Sequence, residues 1–239
     1  MVVGSRKLDQ TVEHLLDNGS KLQGPAVARY VERLRRAHPD ESPAQIVARM
    51  EKMFLRTVTG TGSAVGATAA VPGIGTLAVL GAAAAETVFY LETAALFTLG
   101  VAAVHGIEAH DHDQRRALVL AVALGGEGAM IVERTVGKTS EHWGKLLAGK
   151  IPGVKRMNES LLQRFLKKYA LKRGALLLGK AVPAGIGAVI GGVGNRTLGK
   201  RTIDNARKAF GPPPATWPQR HRVVDADPLP PLTPVPSRR

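Results

Sequence analysis

The stretch Thr57–Ala85, TVTGTGSAVGATAAVPGIGTLAVLGAAAA, holds 29 residues without a charge, and its reading decides the fold. About 20 apolar residues suffice to span a bilayer, so length alone permits a membrane segment. Three features argue otherwise: Val71-Pro72-Gly73-Ile74-Gly75 interrupts the run, six glycines lie within it, and Ala stands where membrane insertion favours Leu, Ile or Phe. The run therefore reads as two helices meeting at Pro72-Gly73. Gly62 and Gly66 form a GxxxG spacing that lets helix backbones approach closely, in lipid or in a tight soluble pair.

From Thr57 to Ile107 the only acidic residues are Glu86 and Glu92. Six residues apart on a helix they stand about 240° from each other, so they are no carboxylate pair by themselves. In lipid each would be a functional candidate, because ionised groups are expensive there; in a soluble core one or both face water or pair with an Arg. The Ala and Gly content favours the core.

Working outward, the apolar spacing is helical and the breakers fall at helix ends. Leu8–Asp17 is a short helix stopped by Asn18-Gly19, and Pro25 opens another with Val27, Tyr30, Val31 and Leu34 on one stripe, ended by His38-Pro39. Ser42-Pro43-Ala44-Gln45 predicts a strong start: a hydroxyl cap, a proline at the first helical position and a Gln three after the cap. After Ile107, acids at 108, 111 and 113 precede an Arg115–Leu124 helical run, where the helix dipole favours negative charge. Gly125-Gly126 kinks or ends that helix. Further helices are expected over Ser140–Ala148 and Asn158–Lys172. In the second, Leu161, Leu162, Phe165, Leu166 and Tyr169 form a stripe opposite Arg164, Lys167, Lys168, Lys172 and Arg173. Such a basic amphipathic helix suits a core or an anionic bilayer equally.

A later block, Ala181–Asn195, echoes the first glycine-rich run and repeats GxxxG at Gly187 and Gly191, which suggests two small-residue halves packed together. From Gly211 on, nine of 29 residues are Pro and no apolar period survives, so 211–239 reads as a disordered or polyproline-like tail. The expectation is an all-α multi-helix bundle of about eight helices with two Gly/Ala-rich hairpins: short helices in 1–41, a helical domain in 42–210, and the tail.

Composition narrows the function. Of 239 residues 44% are apolar but only 4% aromatic, which disfavours an aromatic-rich β-sandwich. The absence of Cys excludes disulfides, thiolate metal sites and a cysteine nucleophile. The amino terminus carries no apolar segment of signal-peptide character. The net charge of +14 is concentrated, for residues 134–210 carry 17 Lys and Arg against three acids. That block attracts phosphates of nucleic acid or of anionic lipid.

Val104-His105-Gly106-Ile107, an acid-rich turn, Arg115-Arg116 and Leu118-Val119-Leu120 form one stretch, and Pro183, Ile186-Gly187-Ala188, Gly191, Asn195, Ala206 and Phe210 form a later one. Together they resemble the bacterial EcsC family, the later stretch its closing signature. The likeness covers roughly residues 45–210. It implies a helical protein without established catalysis, associated with the cytoplasmic face of the membrane and linked to a transporter. The chain departs from the family pattern at His105, which replaces an aromatic, and around Pro72, where the customary aspartate is missing.

Other constellations carry less. His105, Glu108, His110, Asp111, His112 and Asp113 are six ligand-type residues within nine, with His105, His110 and His112 the metal candidates. Their spacing matches no catalytic metal motif, and an acidic N-terminal turn explains the acids. Gly137-Lys138-Thr139 resembles the end of a phosphate loop whose first glycine would be Val132, so it cannot wrap phosphate. No nucleophile elbow is present, and no cofactor is implied. Trp143, among Lys138, Lys145, Lys150, Lys155 and Arg156, reads either as an interfacial anchor or as a cap on a small core.

The expected function is scaffolding or accessory work at the cytoplasmic leaflet, with anionic lipid held by Lys145, Arg164, Lys167, Lys168, Lys172 and Arg173, and with Gly62, Gly66, Gly187 and Gly191 packing helices. A membrane-protein partner and an oligomer fit the same faces. The alternatives are a soluble nucleic-acid- or protein-binding module and a hydrolase with an unrecognised site.

Overall fold

Serine and proline at the start of one helix show how local chemistry sets the frame. In the computed structural model, which describes residues 26–68, 76–107, 109, 111–137, 142–148, 151–177 and 186–218, α1 covers 26–37 and α2 covers Pro43–Thr68. Gln45 N–H donates to the Ser42 hydroxyl at 3.4 Å while Ser42 N–H donates to the Gln45 side-chain oxygen at 2.8 Å, which closes the expected capping box. Then follow α3 (Thr76–Val104), α4 (His112–Leu124), α5 (Gly126–Val136), a 3-10 segment (Trp143–Ala148), α6 (Val154–Leu177) and α7 (Ile186–Phe210). The fold is all-α, with no strand among the described residues. The helix expected over Leu8–Asp17, the Pro72-Gly73 turn and residues 219–239 lie outside them.

The closest-packed pair is α2 with α7. They run antiparallel, as Glu51 meets Arg207 and Gly62 meets Gly191. A Cβ on Gly62 would lie 2.5 Å from the Gly191 carbonyl oxygen and 2.6 Å from the Asn195 amide nitrogen. Gly192 backs onto Ser63, and Gly199 onto Val58 and Leu55. The backbones are thus near enough for Asn195 Nδ2 to donate both to the Val58 carbonyl at 3.0 Å and to the Glu86 carboxylate at 2.6 Å. Glu86 is only 8% exposed and is held there. Glu92 is exposed.

Helix α3 completes a hairpin with α2, with Phe54 stacked on Phe97 at 4.7 Å between ring centroids and Gly100 against Met50. Tyr90 Oη and Thr202 Oγ1, 2.9 Å apart, tie α3 to α7. Val27 and Val31 of α1 join the same core. Helix α4 ends at Gly125, whose φ of +69° suits a residue without a Cβ and lets the chain reverse at once into α5. The kink or end expected at Gly125-Gly126 is an end followed at once by a new helix. The orphan carbonyls at the end of α4 find long-range donors: Asn205 Nδ2 reaches Val122 O at 3.0 Å and Lys168 Nζ reaches Leu124 O at 3.2 Å. Past Phe210 the chain loses regular structure but keeps packing. Pro218 lies beside Gly106, and the Arg35 guanidinium sits 4.9 Å over the Trp217 ring, so packed residues continue beyond 210.

Close approach at one glycine and open space at another allow a paired test. Gly62→Ala should destabilise the protein by about 1–3 kcal/mol through overpacking. Gly60→Ala, where a Cβ meets nothing within 4 Å, should instead stabilise it by about 0.5–1 kcal/mol through helix propensity. Urea denaturation of the two variants reads both signs; equal effects would mean that α2 and α7 are not in backbone contact.

Candidate functional site: a basic helix face and a cavity behind it

The charge-rich segment folds as α6, and its two sides separate. Met157, Leu161, Leu162 and Phe165 are buried in the common core, chiefly against α4 and α5. Lys155, Arg156, Arg164 and Lys167 are exposed. Phe165 is 4% exposed, so its ring is not presented for stacking on bases.

The six cations expected to contact lipid do not behave alike. Lys145 and Lys167 are exposed. Arg164 is exposed too, with Nη1 3.8 Å from Glu127. Lys168 turns inward: besides capping α4 it donates to Glu127 Oε1 at 3.0 Å. Its charge is therefore committed to the α4–α5 junction. Lys172 and Arg173 lie on the α6 backbone, but their side chains are outside the description. Trp143 is 7% exposed and packs with the core. Gly144 presses on Phe210, where a Cβ would come within 2.7 Å of the ring.

Of the small residues, Gly62 and Gly191 meet at the α2–α7 contact. Gly66 and Gly187 are helical. Within the stretch resembling the EcsC signature, Asn195 bridges three helices, and Ala206 and Phe210 are buried.

The histidine and acid cluster is dispersed by its own hydrogen bonds. Asp111 caps α4, accepting from Gln114 N–H at 2.7 Å, while Asp111 N–H donates to Gln114 Oε1 at 3.4 Å. Asn158 Nδ2 donates to the Asp113 carbonyl oxygen at 3.0 Å. His112 Nδ1 lies 4.0 Å from Asp113. His105 has Nδ1 2.8 Å from Val101 O and Nε2 3.3 Å from Gly211 O. Glu108 and His110 lie outside the described residues, among which no three His, Cys, Asp or Glu side chains group as a metal site. Gly137, with φ of +90°, closes α5 on a helix rather than following a strand. Lys138 and Thr139 are outside the description.

Sequence reasoning missed a cavity of about 410 Å³ between α2, α3 and the end of α7. Val47, Phe97, Val101 and Ala206 contribute apolar wall, while Glu51, Arg207, His105 and His142 contribute the polar groups. Arg207 grips Glu51 twice, Nε to Oε1 at 2.8 Å and Nη2 to Oε2 at 2.6 Å. Those hydrogen bonds raise the guanidinium's pKa further above its ordinary value. The pair joins residues 156 apart in sequence, which explains why no local motif announced it.

Among the described residues one candidate span, Ala85–Val104 in α3, is long and apolar enough to cross a membrane, yet 67% of its most apolar window is buried inside the bundle. Compared against protein-family models, characterised proteins and solved structures, the chain matches none.

The capping role of Asp111 is separable from ligation. Asp111→Ala should cost about 1 kcal/mol in chemical denaturation, whereas Asp111→Asn, an equally good cap, should cost little. A ligand role for the carboxylate would make both variants lose alike.

Proposed function

We propose that the protein attaches to the anionic cytoplasmic leaflet through the outer side of α6, as a non-catalytic accessory or scaffold beside a membrane protein such as a transporter. One observation carries this reading: α6 spends its apolar side on the core and leaves Lys155, Arg156, Arg164 and Lys167 at the surface. A helix arranged this way holds phosphates electrostatically and does not need to sink its apolar side into acyl chains. Burial of most of Ala85–Val104 supports peripheral attachment over insertion. The concentration of 17 Lys and Arg against three acids in 134–210 supplies the field. Resemblance to the EcsC family agrees with the location. Lipid phosphate is favoured over nucleic acid because Phe165 is withdrawn from the basic face.

The test uses cations that hold nothing else in place. The triple variant Lys155→Glu, Arg156→Glu, Lys167→Glu, which spares Lys168 and its bonds to Leu124 and Glu127, should bind vesicles containing phosphatidylserine about a hundredfold more weakly than the parent. Each cation near such a surface contributes about 1 kcal/mol. Parent binding should fall as salt rises. Co-sedimentation unchanged by the triple reversal overturns the proposal, as does tighter binding to duplex DNA than to the vesicles in the same buffer.

A further inference from the structure

The cavity between α2, α3 and the end of α7 has a composition that selects a guest. At about 410 Å³ it falls within the ~300–1,000 Å³ typical of small-molecule sites. Its body is apolar, lined by Val47, Phe97, Val101, Ala206, Pro212 and Pro213. Two opposite charges line it, but Glu51 and Arg207 are locked to each other by two hydrogen bonds. Each charge is thus spent mainly on the other, and neither is left unpaired for a charged guest. His105 has both ring nitrogens directed to backbone carbonyls, at 2.8 and 3.3 Å. His142 differs from these three: its Nδ1 is buried without a hydrogen-bond partner, although its ring lines the same cavity. An unpaired polar atom of this kind is costly and marks a bond waiting for a partner.

We propose that this cavity binds a neutral, mainly apolar small molecule carrying one hydroxyl, with the hydroxyl on the His142 imidazole and the apolar body against Phe97 and Val101. A hydroxyl fits because it donates or accepts, and so serves an imidazole in either tautomer. The arrangement requires the ring to turn so that its buried Nδ1 faces the cavity that the ring lines. The site is independent of the basic face of α6, so it holds or fails separately from membrane attachment.

The probes are 2-naphthol, naphthalene and 2-naphthoate, which share a body and differ in the head group, titrated into the full chain and followed by calorimetry. Saturable one-to-one binding of 2-naphthol is expected, with naphthalene about three- to tenfold weaker, as loss of one hydrogen bond implies, and 2-naphthoate weaker still. His142→Phe should bring 2-naphthol down to the naphthalene level while leaving naphthalene within about twofold. Ala48→Trp, at an exposed position of α2 that lines the cavity, should abolish binding of both while keeping the parent's cooperative thermal transition. Absence of saturable 2-naphthol binding overturns the proposal. So does equal affinity for naphthalene, preference for the carboxylate, or binding unaffected by Ala48→Trp.

Discussion

Everything else in the bundle depends on how closely α2 and α7 approach. Glycines at 62, 191, 192 and 199 remove the side chains that would hold the two helices apart, and the approach puts Asn195 in reach of both neighbours. A carboxylate buried to the extent of Glu86 is tolerable only when its oxygens have donors, and Asn195 supplies one. The same amide occupies the Val58 carbonyl. Helix pairing by small residues and satisfaction of a buried acid are therefore one event, and Glu86 needs no membrane or reaction to account for it.

Helix α3 packs against both members of the α2–α7 pair. Its apolar length closes over α2 through Phe97 on Phe54 and over α7 through Tyr90 to Thr202. The second layer forms around α4, whose carboxyl end is capped from two directions, by Asn205 of α7 and Lys168 of α6. A cation at the end of a helix also meets the negative pole of its dipole. The consequence for function is subtraction: the apolar side of α6 is buried and Lys168 is paired with Glu127, while Lys155, Arg156, Arg164 and Lys167 stay exposed.

Local chemistry was legible in the sequence where a cap or a break is made by neighbours. Ser42 to Gln45, Asp111 to Gln114 and the stop at Gly125 involve residues at most four apart, and the chain carries them plainly. Two neighbouring glycines hid α5, because Gly126 reads as a terminator, yet here it opens a helix whose Gly128 packs against the Ala121 backbone. The role of Lys168 was illegible for a different reason. On α6 alone it belongs with Lys167 on the charged side, and only its distance of 3.0 Å from Glu127, 41 residues earlier, shows the difference. Residues 211–218 likewise lack any apolar period, but Trp217 and Pro218 still find partners in Arg35 and Gly106.

The cavity follows from how α3 and α7 end. The chain turns at Gly106, two residues past α3, with φ +70°, and at Gly211, directly after α7, with φ +77°. His105 connects them, with one ring nitrogen at the last turn of α3 and the other at Gly211. The ring also packs on Phe210 at 5.6 Å between centroids, and because both polar neighbours are carbonyl oxygens a neutral imidazole donates to one of them at a time. At 105 the ring thus combines packing with a polar tie. That tie holds the ends of α3 and α7 at a fixed spacing while Gly211, lacking a side chain, leaves room for His142.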